Sequence, residues 1–145
     1  MEVYAPLSGT LHPLSQIPDR VFAEKMLGDG VALLPIDDNI QVVSAPANGR
    51  IDALFPHAFV ISGILVHIGV NSATCPAFTV LASKGQRVSV GQSIVEWNVA
   101  VSQQLNIPSW VAVVAVESPH ISLVAAYGSL VEAQSLMFSC TTHTS

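Results

Sequence analysis

The sequence predicts an all-β fold, a sandwich or barrel built from a duplicated strand motif, and two observations carry that prediction. First, valine, isoleucine and leucine come in short runs separated by Gly, Pro, Asn and Asp, the pattern of many short strands. Second, the chain repeats itself. Val3-Tyr4-Ala5-Pro6-Leu7-Ser8-Gly9-Thr10-Leu11 returns as Val43-Ser44-Ala45-Pro46-Ala47-Asn48-Gly49-Arg50-Ile51. Proline removes a ladder donor and glycine tolerates positive φ, so each copy marks a strand that ends, turns and restarts. A second echo sets Val88-Ser89-Val90-Gly91-Gln92-Ser93-Ile94 against Leu130-Val131-Glu132-Ala133-Gln134-Ser135-Leu136. Two copies of one strand-turn-strand unit can bury a common core between them.

Taken along the chain, the apolar runs predict strands at Gly9–Leu14, Gly30–Pro35, Gln41–Ser44, Gly49–Phe55, Ala58–Ile61 and Ile64–Ile68. Three more follow at Ser93–Trp97, Trp110–Val116 and Ser135–Cys140. Helical pattern is scarce. One turn is expected at Pro18–Met26, and another at either Ala77–Ser83 or Ala100–Leu105.

The 145 residues suit one domain with a sizeable core. Half are hydrophobic, yet the most apolar stretch, Phe55–Val70, contains His57, Ser62, Gly63 and His67. It falls short of the roughly 18 unbroken apolar residues that a spanning helix needs. No signal-peptide pattern opens the chain, and a cytoplasmic location is expected. Charged residues make up only 10 %, so the surface must rely on Ser, Thr, Asn and Gln and on contacts with other domains. A net charge of −5 without Lys or Arg clusters argues against nucleic acid and is compatible with a basic protein partner. Cys75 and Cys140 form neither a metal-ligand spacing nor a disulfide framework, which fits a reducing compartment.

The chemistry concentrates on two histidines. Ala58–Ile68 reads as a hairpin around Ser62-Gly63. A three-residue loop, Ile61-Ser62-Gly63, sets His57 directly opposite His67 and puts Phe59 and Leu65 on their face. A two-residue loop sets Ala58 there instead. A neutral imidazole with one nitrogen donated to a carbonyl offers the other as a nucleophile. A second imidazole can donate to phosphoryl oxygens during transfer, while apolar neighbours exclude water. The residues alone leave two readings open: this phosphoryl chemistry, or a structural cross-strand pair.

Longer motifs resemble one family. Tyr4-Ala5-Pro6-Leu7-Ser8-Gly9 and Val21-Phe22-Ala23-Glu24-Lys25-Met26-Leu27-Gly28-Asp29-Gly30-Val31-Ala32 look like the opening of glucose-type enzyme IIA domains of the bacterial sugar phosphotransferase system. His57-Ala58-Phe59 and Leu65-Val66-His67-Ile68-Gly69 are similar to that family's two histidine motifs. Phe78-Thr79-Val80-Leu81 and Lys84-Gly85-Gln86-Arg87-Val88-Ser89-Val90-Gly91-Gln92 resemble its next characteristic stretch. The likeness runs in family order over most of the chain and is looser from Val99 onward.

The resemblance implies a barrel-sandwich hybrid with a duplicated motif, 1–145 being one IIA domain on its own or within a longer multidomain chain. It implies that His67 accepts phosphate from phospho-HPr and passes it to the cysteine of an enzyme IIB. His57 would assist without being phosphorylated. Phe55, Phe59, Leu65, Val70 and Phe78 would form the apolar rim on which both partners dock, and the Gly69 carbonyl would hold the tautomer of His67. No cofactor, metal or membrane insertion is implied.

Three departures stand out. The family's Thr two residues before the first histidine is Phe55 here. The hairpin between the histidines is shorter, and the family's Asp-Thr-Val after the second motif is Asn71-Ser72-Ala73. These changes raise an alternative, a divergent barrel that binds partners and has lost phosphoryl transfer. A lysostaphin-type zinc site would need a His-x-His, and none flanks His67, which disfavours that reading. A biotinyl or lipoyl carrier would need a hairpin-tip lysine, a setting that Lys25 and Lys84 lack. His12, His120 and His143 are expected on the surface or in loops, Gly28-Asp29-Gly30 in a tight turn, and Trp97 and Trp110 in the core or an interface.

Overall fold

Fourteen short strands follow from these runs in the computed structural model, which describes residues 1–141; His143 lies outside the described residues. In chain order they are β1 (Glu2–Tyr4), β2 (Gly9–Pro13), β3 (Gly30–Pro35), β4 (Ile40–Ser44), β5 (Gly49–Phe55), β6 (Ala58–Ile61) and β7 (Ile64–Ile68). Then come β8 (Phe78–Val80), β9 (Arg87–Val88), β10 (Ser93–Asn98), β11 (Val111–Ala115), β12 (Ile121–Leu123), β13 (Leu130–Val131) and β14 (Leu136–Cys140). Two short helices interrupt them, α1 (Arg20–Ala23) and α2 (Val99–Gln104), with a 3₁₀ turn at Leu14–Gln16.

The sheets record the duplication. The eight-stranded sheet runs β13-β2-β3-β11-β7-β6-β5-β9, and the two small sheets run β1-β14-β12 and β4-β10-β8. Each order maps onto its counterpart by exchanging β1 with β4, β2 with β5, β3 with β6, β11 with β7, β14 with β10, β12 with β8 and β13 with β9. The two-fold relation passes between β11 and β7. Hydrogen bonds cross it reciprocally: Tyr4 N–H donates to the Pro46 carbonyl (2.9 Å) and Ser44 N–H to the Pro6 carbonyl (2.8 Å). Each proline's carbonyl thus accepts from the other copy's strand.

The second echo pairs one residue out of the register that its sequence suggests. Val131 lies opposite Gly9 as Val88 lies opposite Gly49, and Gln134 donates its N–H to Ala5 as Gly91 does to Ala45. Gln134 and Gly91 both have positive φ (72° and 88°). The glycine of one copy is therefore matched by a glutamine, which is why the register is hard to read from residue types.

The nine predicted strands form, with ends shifted by a residue or so. A helical turn forms within the first expected stretch, at Arg20–Ala23, and of the two alternatives for the other, Ala100–Leu105 is helical, as Val99–Gln104. Phe78–Val80 is instead a strand, held along β10 with Trp97 opposite Phe78. The five strands absent from the expectation, β1, β8, β9, β12 and β13, have two or three residues each, too few for a period to show.

Two apolar layers result. Val3, Leu11, Ile51, Phe59, Val66, Ile68, Trp97 and Phe138 belong to the main core between the sheets. A second cluster lies on the outer face of β3 and β11, where Leu14, Ile17, Phe22 and Val70 cover Ala32, Ala112 and Val114. This explains the unbroken apolar run of β11, which is buried on both faces.

Candidate phosphoryl-transfer site

His67 projects from the face of β7 that the second cluster only partly covers. On this strand Ile64, Val66 and Ile68 turn into the main core, and Leu65 and His67 turn outward. Its cross-strand neighbours are Ala112 on β11 and Ala58 on β6, two small side chains that leave space around the ring. Phe22 on α1 packs against it with ring centroids 5.0 Å apart.

His57 reaches the same place by a different route from the one its spacing suggests. The loop between β6 and β7 is two residues, Ser62 (φ 51°) and Gly63 (φ 76°), both left-handed as a type I′ hairpin turn requires. Ala58, not His57, is therefore the partner of His67. His57 is instead a residue of the tight turn Pro56-His57 that joins β5 to β6, where Phe55 pairs with Ala58. A turn residue escapes strand alternation. Its carbonyl accepts from Ile68 N–H (2.7 Å), and its ring stands 5.1 Å from that of His67 at 83°.

The electrostatics distinguish the two rings. His67 Nδ1 lies 2.9 Å from the Gly69 carbonyl, which can only accept, so Nδ1 carries the proton and Nε2 keeps its lone pair in the neutral ring. Burial pushes the pKa of His67 down and the neighbouring His57 lowers it further. The Gly69 hydrogen bond and the charge of Asp19 act upward against them. Burial also lowers His57. Both shifts favour neutral imidazoles near neutral pH. His57 Nδ1 is buried without a hydrogen-bond partner among the described residues.

The remaining expected site residues divide. Phe55 is 57 % exposed, and its ring lies 6.1 Å from His57. Phe55, His57 and Leu65 border a depression of about 270 Å³ beside the histidines. Phe59 does not lie on the histidine face: it is fully buried, opposite Val66, because the two-residue loop turns it into the main core. Val70 is only 4 % exposed and belongs to the second cluster. Neither supplies open rim surface. Phe78 is half-buried on β8, stacked on Trp97 at 6.3 Å.

Several contributors were not singled out from the sequence. Phe22 lies within a quoted motif, but its contact with His67 depends on how α1 folds back over the sheet. Asp19 caps α1 by accepting from Val21 N–H (2.9 Å), which fixes its carboxylate near His67. His12 is no isolated surface residue: it is half-buried on β2, bonded to Thr10 and edge-on to Trp110 at 5.3 Å. Among the described residues no group of three or more His, Cys, Asp or Glu side chains is placed to hold a metal ion. No helix among them is long and apolar enough to cross a membrane.

Comparison with known proteins places this geometry in a lineage. The family described as "phosphoenolpyruvate-dependent sugar phosphotransferase system, EIIA 1" matches residues 1–121. Among solved structures, the glucose permease IIA from Mycoplasma capricolum is similar at 28 % identity with a TM-score of 0.80, over 95 % of this chain and 94 % of that one. The chain belongs to the glucose-type EIIA family of the phosphoenolpyruvate-dependent sugar phosphotransferase system and serves there as a phosphocarrier.

Proposed function

We propose that His67 is the phosphoryl-carrying residue, accepting from phospho-HPr and delivering to the cysteine of an enzyme IIB. One observation carries this reading: the 2.9 Å contact from His67 Nδ1 to the Gly69 carbonyl, which leaves Nε2 as the free nucleophile. In the first step the Nε2 lone pair attacks phosphorus. A new N–P bond forms as the P–N bond to the HPr imidazole breaks, and its electron pair stays on the departing nitrogen. In the second step a IIB thiolate attacks the same phosphorus, a P–S bond forms, and the N–P electrons return to Nε2. Throughout, Nδ1–H stays on Gly69 and spreads positive charge that builds on the ring.

His57 assists without bonding to phosphorus. Its Nδ1 is buried and has no partner among the described residues, so a proton is better placed on Nε2, from which it can be donated to a phosphoryl oxygen. Phe55, Leu65 and Phe78 form the exposed or half-exposed part of the docking face, and Phe22, Phe59 and Val70 stiffen it from below. Small neighbours at Ala58 and Ala112 leave room for the phosphoryl group on the ring. We read 1–145 as one such domain, working in the cytoplasm.

The test is incubation with enzyme I, HPr and phosphoenolpyruvate, followed by intact mass and mapping of the acid-labile phosphate. One phosphoryl group on His67 is expected. Absence of added mass on the folded protein, with HPr itself phosphorylated, would favour a barrel that binds partners and has lost transfer.

A further inference from the structure

Beside the two histidines lies a fully buried polar side chain to which the transfer chemistry assigns no part. Ser72 has no exposed surface, and its hydroxyl donates to the Ile68 carbonyl. The bond spans the bend that follows β7, where the chain takes left-handed conformations at Gly69 (φ 81°) and Asn71 (φ 54°).

Two rigid peptide planes meet at Gly69, and their orientations decide where the Gly69 carbonyl points. The plane between Ile68 and Gly69 is held at both ends: Gly69 N–H donates to the Trp110 carbonyl (2.7 Å), and the Ile68 carbonyl accepts from Ser72. The plane between Gly69 and Val70 is held by Val70 N–H on the Pro108 carbonyl (3.2 Å), which turns the Gly69 carbonyl the other way, onto His67 Nδ1. Apart from the His67 contact itself, the Ser72 bond is the one among these restraints that comes from a side chain. Ser72 is also anchored, because its own carbonyl accepts from Cys75 N–H (3.0 Å). Its Cβ would stand 3.1 Å from a Cβ added at Gly69, so it packs against the bend as well as bonding to it.

We propose that Ser72 is a positioning residue for phosphoryl transfer: its buried hydroxyl, held on the Ile68 carbonyl, fixes the bend that aims the Gly69 carbonyl at His67 Nδ1 and so keeps Nε2 as the nucleophile. This rests on the reading of His67 as the phosphoryl acceptor. Losing the hydroxyl leaves the Ile68 carbonyl short of a partner and frees the first plane to rotate. The Gly69 carbonyl then drifts, and the ring populates the tautomer with its proton on Nε2, which cannot attack phosphorus.

The experiment uses the whole chain with Ser72→Ala, and with Ser72→Thr and Ser72→Val as a matched pair that differ in the hydroxyl. Long-range proton–nitrogen spectra of His67 report its tautomer, and phospho-HPr reports the rate of acceptance. For Ser72→Ala and Ser72→Val we expect a mixed tautomer signature and a fall in rate of roughly five- to tenfold, the loss that follows from one net hydrogen bond. Ser72→Thr is expected to restore both readouts. Should Ser72→Ala fail to fold, the Thr and Val variants still decide the matter. An unchanged tautomer in the hydroxyl-free variants overturns the proposal, and so does a changed tautomer with an unchanged rate. If the native chain accepts no phosphate, the reading of His67 fails separately, and the tautomer alone then decides whether Ser72 aims the ring.

Discussion

His57 and His67 stand edge to face at 5.1 Å, although the strand ladder pairs His67 with Ala58. Their proximity depends on the Pro56-His57 turn and on the bond from Ile68 N–H to the His57 carbonyl. Ring proximity and backbone register are thus separable, and substitutions at the two histidines should separate their roles.

His67→Ala is expected to abolish phosphorylation, because among the described residues no other imidazole beside it has a nitrogen held by a carbonyl. His57→Gln should still accept phosphate but pass it on poorly, by the 10²–10³-fold typical of a lost transition-state donor. Intact mass after the phospho-HPr reaction checks acceptance, and phosphate transfer to IIB checks delivery. Phosphate persisting in His67→Ala would refute the assignment.

Phe55 and Phe59 should behave as opposites. Phe55 is 57 % exposed, so Phe55→Ala should leave the melting temperature nearly unchanged while raising the KM for HPr and IIB. Phe59 is fully buried, and Phe59→Ala should cost about 3–5 kcal/mol by opening a cavity in the main core. Thermal unfolding alongside transfer kinetics distinguishes the two; a stable Phe59→Ala with a raised KM would contradict its buried placement.

Gly69→Ala combines two penalties. Its φ of 81° is unfavourable for any side chain, and the new Cβ would lie 3.1 Å from that of Ser72. We expect a stability loss of about 1–3 kcal/mol and a displaced Gly69 carbonyl. Denaturant titration measures the first, and the His67 tautomer the second.

Stability should also depend on pH. Both histidines have lowered pKa values in the folded chain, so the unfolded chain binds more protons between the lowered values and the ordinary one near 6.5. Their contribution is full above about 6.5 and falls as the pH drops through that window. Denaturant midpoints from pH 7.5 to 5 should decline, and His67→Gln should flatten the decline. An unaltered slope in that variant would assign the effect elsewhere.

The long strands and the duplicated Ala-Pro turns were legible because alternation and turn residues are local signals. Residue pattern leaves Ala77–Ser83 and Ala100–Leu105 as alternatives for a helical turn; the helix forms at the second, because three residues fix no period at Phe78–Val80 and β10 holds them extended. The two histidines could be picked out by type and setting, whereas their pairing hung on one loop residue that spacing left undecided. A slip of one residue flips a strand, and that is why Phe59 was expected beside His67 and lies in the core. The parts played by Phe22, Asp19 and Ser72 depend on backbone bends and on a helix folding back, which no pattern along the chain encodes.

The interlocked turns bear on how the chain acquires its shape. Tyr4 bonds to Pro46 and Ser44 to Pro6, while β1 pairs along β14, more than 130 residues later. During synthesis the ladder of β1 must therefore wait until β14 has emerged. Contacts of such long range make acquisition of the native state slow, and they expose a bare strand edge to other nascent chains meanwhile. Neither half can be completed without the other.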